Sequence, residues 1–146
     1  MTSVYSDPCR RVAALLEKYG YTDGFTIDET GESYSAPVVQ SSYPNETASD
    51  VTDSDSIIGI QMLGGNTNTF YSQDLNVRLH LWTPTNGSQV WPFYKARMVE
   101  IINGLKTNYS DANIHVTTSS PSEDGEMDSG RRVFSALIRV QIVDLD

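Results

Sequence analysis

Leu75-Asn76-Val77-Arg78-Leu79-His80-Leu81 alternates apolar and polar residues without a break. Side chains on a strand point to opposite faces in turn, so this period of two places Leu75, Val77, Leu79 and Leu81 on one face, toward a core. Trp82 continues the run on the other face. A strand with one apolar face needs a layer to cover it. The flanking sequence supplies two candidates for that layer, one on each side.

Upstream, Ser6-Asp7-Pro8 reads as a helix start, with Asp7 as cap and Pro8 at the first helical position. Val12, Leu15, Leu16 and Tyr19 then fall on one helical face, and Gly20 is a stop. The spacing predicts a helix over about 7–19. Downstream, Thr83-Pro84-Thr85-Asn86-Gly87 breaks the strand. Trp91, Tyr94, Met98, Ile101 and Leu105, widened by Phe93 and Ile102, predict a second helix over about 89–106. Ser88 is its expected cap, and Pro92 is tolerable if it lies in the first turn. Lys106 near its end suits the helix dipole.

Further strands are expected at 25–27, at 57–63 and at 114–117, with Gly64-Gly65-Asn66-Thr67-Asn68 ending the second as a turn. The Gly-Gly pair is no phosphate loop, because no Lys-Ser/Thr follows and the next element is a strand. A long strand from Val133 to Val143 closes the chain, with Phe134, Ala136, Ile138, Val140 and Ile142 on one face. The polar stretch 119–130 is read as a connection. The whole predicts an α+β fold: a mostly antiparallel sheet with two helices packed on one face, in the order helix, strands, helix, two strands.

At 146 residues one domain, 1–146, is expected, long enough for a hydrophobic core without disulfides. Residues 28–56 stand apart in composition, dominated by Ser, Thr, Asp and Glu with Pro37 and Pro44. This extended acidic loop is either disordered or an arm that clasps a neighbouring subunit, with room for one edge strand at Ala36–Val39. The net charge is −9. Residues 21–60 carry eight acids and no Lys or Arg, whereas 1–20 and 61–106 are net positive. Such a balance argues against gripping nucleic acid by its phosphates. No apolar run approaches the ~18 residues of a membrane span, and no basic flank with an apolar core marks a secretory signal. Cys9 is the one cysteine, so a reducing cytoplasm is the default compartment. Asn45-Glu46-Thr47, Asn86-Gly87-Ser88 and Asn108-Tyr109-Ser110 match the glycosylation pattern and, without an export signal, are read as chance.

Candidates for chemistry are sparse. His80 and His115 fall at polar-facing strand positions and are read as surface histidines, solvated or hydrogen-bonded, since no His-x-x-x-His or paired-Cys spacing would supply three or four converging ligands. Cys9 lies in the first turn of helix 1 with no His base marked for it, and is read as an ordinary half-buried cysteine. Asp50, Asp53 and Asp55 resemble a calcium loop only superficially: the twelfth position is Gln61 and the flanks are not helical. Glu123, Asp124, Glu126 and Asp128 form a denser acidic cluster, read as a solvated hairpin tip in preference to a weak cation site, and Arg131-Arg132 beside it is either a charge contrast suited to head-to-tail contact between subunits or an exposed pair of little consequence. No catalytic, cofactor-binding or metal-ligating residue is assigned. The candidate interface residues are Asp50, Asp53, Asp55, Glu123, Asp124, Glu126, Arg131 and Arg132.

The pattern of helix 7–19, strand Ile57–Leu63 closed by Gly64-Gly65, strand Asn76–Trp82 leading into a helix with Ala96, Ile101, Ile102 and Leu105, and Arg131-Arg132-Val133-Phe134 opening the last strand resembles the tail terminator (tail completion, neck) proteins of long-tailed bacteriophages and related viruses. The resemblance implies a non-enzymatic virion protein without cofactor, assembled in the host cytoplasm. It implies a homo-hexameric ring that caps the tail tube protein and meets the head–tail connector or stopper protein, with DNA passing through its lumen and no membrane involved. Related roles are another neck or head-completion protein, or a tail-tube subunit. The rival from another class is a small hydrolase or metal-dependent binding module built on His80 or His115 with nearby acids.

Overall fold

A computed structural model describes residues 8–26, 31–67, 72–107 and 114–143. In chain order the elements are α1 (Pro8–Lys18), β1 (Phe25–Thr26), β2 (Ser33–Tyr34), β3 (Val38–Gln40), β4 (Ile57–Thr67), β5 (Ser72–Trp82), α2 (Gly87–Thr107), β6 (Ile114–Thr118), β7 (Ser122–Glu126) and β8 (Arg132–Val143). The fold is α+β, as the sequence predicts. The main sheet has the order β3-β4-β5-β8-β6, with β7 beside β8 on the same flank as β6. All of its pairings are antiparallel except the short β3–β4 pair.

Both helices lie on one face. Val12, Leu15 and Leu16 of α1 and Tyr94, Met98, Ile101, Ile102 and Leu105 of α2 share one buried cluster with Ile58 and Ile60 of β4, Val77, Leu79 and Leu81 of β5, and Phe134, Ala136 and Ile138 of β8. The period-two reading of β5 is therefore correct for its described side chains; those of Leu75, Val140 and Ile142, like that of His115, lie outside the description. The α1 end is built as the sequence suggests. Gly20 takes a left-handed φ of 80°, Tyr21 N–H donates to Leu16 C=O at 2.8 Å and Gly20 N–H to Glu17 C=O at 3.1 Å, a paired closure that turns Tyr21 inward. Asp7, the expected cap, lies outside the described residues. A short β1–β2 hairpin lays Phe25 and Tyr34 against Tyr94, with ring centroids 5.4 and 5.3 Å away.

Several boundaries differ from expectation. Gly64-Gly65 does not end β4: pairing to β5 continues to Thr67↔Gln73 across a bulge between Met62 and Gly64, so ladder hydrogen bonds outweigh the turn propensity of Gly-Gly. Helix α2 starts two residues early, because the Asn86 carbonyl accepts from Gln89 N–H at 2.9 Å and from Val90 N–H at 3.3 Å. Asn86 thus replaces Ser88 at the boundary, and Pro92 sits in the second turn rather than the first. Three strands, not two, follow α2, because Ser122–Glu126 within the expected connection pairs with β8.

The opposite face of the sheet is covered at one end by the segment 41–56. Ile57, Trp82 and Val133 form a second buried cluster, joined by Val51 and Met127. Pro44 lies on Gly59 so closely that an added Cβ would sit 2.5 Å from Pro44 Cγ. Glycine is what this approach requires. The long acidic segment, where described, packs against the rest of its own chain. It folds back on its own sheet, and β3 within it is the expected edge strand.

Arg131 holds that segment down. Sequence reasoning placed it at a subunit interface, but it is 1 % exposed. Its Nη1 donates to the Asp55 and Thr83 carbonyls, the latter at 3.0 Å, and its Nη2 to the Thr52 carbonyl at 2.9 Å. Glu46 Oε1 lies 3.8 Å from its Nε, an ion-pair distance too long for a hydrogen bond. The guanidinium fork supplies donors in fixed directions to three carbonyls from two separate stretches of chain. An Arg131→Met variant is expected to lose about 3 kcal/mol of stability in urea unfolding and to become protease-sensitive between 46 and 55, with Arg131→Lys intermediate because an ammonium cannot span the three carbonyls. Equal unfolding midpoints for parent and Arg131→Met would contradict this role.

Candidate functional site: a cleft on the second face of the sheet

At the margin of the 41–56 segment, the second face of the sheet carries polar side chains. Alternation along β5 puts Arg78 and His80 there, next to Gln61 of β4 and Ser135 of β8, their register partners. Tyr43 reaches over from the folded-back segment. Its ring stands edge-on to His80 with centroids 5.0 Å apart and edge-on to Trp82 at 5.6 Å. Strand β7 forms the far wall. A cleft of about 280 Å³ results, lined by Tyr43, Arg78, His80, Asp124, Glu126 and Ser135, with Met127 and Val133 as its apolar floor.

His80 is almost wholly enclosed in this cleft, 4 % exposed. It is hydrogen-bonded, as one sequence reading had it, but it is not a surface residue: Tyr43 covers it. Its Nε2 lies 2.9 Å from Gln61 Oε1. An amide oxygen only accepts, so Nε2 carries the proton and Nδ1 presents a lone pair. That Nδ1 is buried and has no hydrogen-bond partner among the described residues. Burial first, and then the Arg78 guanidinium, lowers the imidazole pKa from 6.5 to about 4, while Asp124 pulls weakly the other way. Arg78 donates from Nη1 to Ser135 Oγ at 3.3 Å.

The other candidate residues do not converge on one place. Glu123 points to the helix side, where its carboxylate meets Lys95 Nζ at 2.7 Å; both side chains are half exposed, so the pair adds little stability. Asp124 accepts from Ser122 Oγ at 2.8 Å, and with Glu126 it faces the cleft. Asp55 turns inward, its Oδ2 accepting from Thr52 N–H and Oγ1–H at 2.9 and 3.0 Å. Asp53 serves through its carbonyl, which accepts from Thr85 N–H at 3.0 Å. Asp50 is exposed. Arg132 is half-buried, its guanidinium 6.0 Å from the Trp91 ring centroid. Cys9 is fully rather than half buried. Among the described residues, no group of three or more His, Cys, Asp and Glu side chains is placed to hold a metal ion, and no helix is long and apolar enough to cross a membrane.

Sequence reasoning named His80, Asp124 and Glu126 but not Tyr43, Gln61 or Arg78. Tyr43-Pro44 is an aromatic–proline pair isolated among polar residues, opposite a strand glycine at 59; that pairing is the signal available for a covering loop. No family model matches the chain, and no curated protein matches it.

The imidazole has a consequence for stability against pH. His80 is neutral in the folded chain down to about pH 4 but protonates near 6.5 when unfolded. Its contribution is therefore full above pH 6.5 and is lost as pH falls from 6.5 toward 4, a loss of about 3 kcal/mol. Urea unfolding at pH 7, 5.5 and 4 is expected to show this slope in the parent and a shallower one in His80→Gln. Parallel slopes would show that the imidazole does not resist protonation.

Proposed function

We propose that the chain is a structural subunit of a virus particle, of the tail terminator type, which assembles head-to-tail into a homo-hexameric ring between tail tube protein and head–tail connector. One observation carries the reading: the sheet is open at both ends, and the two ends suit each other. Strand β3 covers only Ile57–Gly59 of β4, so from Ile60 to Thr67 the outer flank of β4 has no strand beside it among the described residues. That stretch holds no charged residue, and Met62 and Leu63 on it are 43 % and 46 % exposed. At the other end β6, Ile-His-Val-Thr-Thr, has β8 as its strand partner among the described residues and also lacks acids and lysines. Open edges without charge invite pairing with another strand.

Direction favours this joint. Each step from β4 through β5 and β8 to β6 is antiparallel, so β4 and β6 run in opposite senses. A second copy placed beside the first in the same orientation brings its β6 antiparallel to β4, with the helices of both on one side. Repetition of such a heterologous contact closes a ring where the rotation allows. The acidic β7 is a poorer partner for either edge, since pairing would desolvate its exposed carboxylates without supplying a positive charge. The net charge of −9 is compatible with DNA passing through the ring without adhering.

Native mass measurement with tube and connector proteins present tests the reading. A species six times the 16.2 kDa subunit is expected. Met62→Lys with Leu63→Lys should abolish it while shifting unfolding stability by no more than about 0.5 kcal/mol, because both side chains are exposed. A chain that stays monomeric with both partners, or a double variant that assembles as well as the parent, counts against the ring.

A further inference from the structure

The segment 41–56 closes over polar atoms that gain nothing from being covered. Trp82 is 1 % exposed, and its indole Nε1 has no hydrogen-bond partner among the described residues. The same holds for His80 Nδ1, beside the Tyr43 ring, and for Arg131 Nε, 3.8 Å from Glu46. Each would recover a partner from water if the segment lifted, so each disfavours closure. What holds the segment down is enclosed and uncharged on the segment's own side. Arg131 donates to the Thr52 and Asp55 carbonyls, Thr85 N–H donates to the Asp53 carbonyl at 3.0 Å, Pro44 lies on Gly59, and Val51 packs against the Trp82 cluster. Salt screens such enclosed contacts little. What opposes closure is exposed. The segment carries Glu46, Asp50, Asp53 and Asp55 and no Lys or Arg. It meets β7 and the turn after it, where Asp124 and Glu126 line the same cleft as Tyr43 and Met127 joins Val51 in one cluster. Asp50, Asp53, Asp124 and Glu126 are all exposed, and Arg78 and Arg131 offset this charge only in part.

We propose that segment 41–56 is a strap gated by ionic strength, shut over Trp82 and His80 when its carboxylates are screened and released when they are not. The direction follows from where each force acts. Salt removes repulsion between exposed carboxylates and leaves the buried hydrogen bonds and apolar contacts nearly as they were, so salt tightens the strap. The orphaned indole and imidazole nitrogens keep the closed state from being overwhelmingly favoured, which leaves room for the exposed charges to decide. Release reaches beyond the strap itself. It runs directly on from β3, and Val38 N–H donates to Ser56 C=O at 2.9 Å, so its departure loosens the strand that covers Ile57–Gly59 of β4. The opening belongs to the single chain and does not rest on ring assembly.

Amide hydrogen exchange and indole quenching of the full chain at neutral pH test this between about 0.01 M and about 0.15 M sodium chloride, where the screening length falls from about 30 Å to about 8 Å. Exchange across 41–56 is expected to slow at least about threefold over that range while α2 and β5 keep their rates. In a Trp91→Phe chain, whose one remaining indole is Trp82, quenching by acrylamide should fall in parallel; the quencher is uncharged, so salt does not act on it. Asp50→Asn combined with Asp53→Asn changes two exposed side chains and leaves the Asp53 carbonyl in place. That variant should keep the strap shut at low salt and lose at least about half of the response. Exchange in 41–56 that is indifferent to salt overturns the proposal. So does exchange that quickens with salt, which would make the Glu46–Arg131 pair the governing contact. An equal change in α2, the mark of whole-chain unfolding, or a double variant as responsive as the parent overturns it too.

Discussion

The Arg131 guanidinium fixes the shape of one whole side of the molecule. Its fork reaches the Asp55, Thr83 and Thr52 carbonyls at once, joining the start of β8, the end of β5 and the segment before β4. Burying a charge costs several kcal/mol, and hydrogen bonds to backbone oxygens offset this only when geometry is fixed. Here neighbouring hydrogen bonds fix it: Thr83 N–H donates to Arg132 C=O at 2.9 Å and Arg132 N–H to Thr83 Oγ1 at 2.8 Å. The acidic segment can then lie flat on the sheet, with Pro44 against Gly59 and Val51 in the small cluster with Trp82. Without the clamp, that cluster of three buried apolar residues is too small to hold so polar a segment.

From this follows the asymmetry of the two faces. The helix face is closed by two amphipathic helices and is apolar throughout its described centre. The other is half closed, and Tyr43, carried by the clamped segment, sits where cover gives way to polar surface. The cleft is thus a product of the clamp: its floor is β5 and β8, one wall is the folded-back segment, and the other is β7. The open flank of β4 has the same origin, because the segment contributes only three residues as β3 before turning away over the face.

What the sequence made legible was what burial dictates. Val77, Leu79 and Leu81, and Val12, Leu15 and Leu16, could be read because apolar residues recur at the period of the element that buries them. What it hid was set by partners distant in sequence. Ser122–Glu126 is exposed at every position and has no apolar pattern; it is a strand because β8 offers it hydrogen bonds. Gly64-Gly65 looks like a turn, yet β5 holds it in register. His80 occupies a polar-facing position and would be solvated there, but for a tyrosine 37 positions earlier that covers it. Arg131 and Arg132 are adjacent and identical in type, and no local property says that one is buried.

Two arginines on the same face show how frame and site can be told apart by physical chemistry. Arg131 is almost wholly enclosed, and three carbonyls answer its Nη donors. Its charge is consumed in holding the chain together, and a ligand could gain little from it. Arg78 is only partly buried and, among the described residues, makes one hydrogen bond, to a hydroxyl. Its remaining donors face a space bounded by carboxylates and a lone-pair nitrogen. A fold that had no use for that charge would lose little by replacing it with an uncharged polar residue on β5. It would also relieve the depressed imidazole next to it, since Arg78 is second only to burial in lowering the His80 pKa. A charge that depresses its neighbour's pKa and makes one long hydrogen bond among the described residues contributes little to the frame that Arg131 holds together.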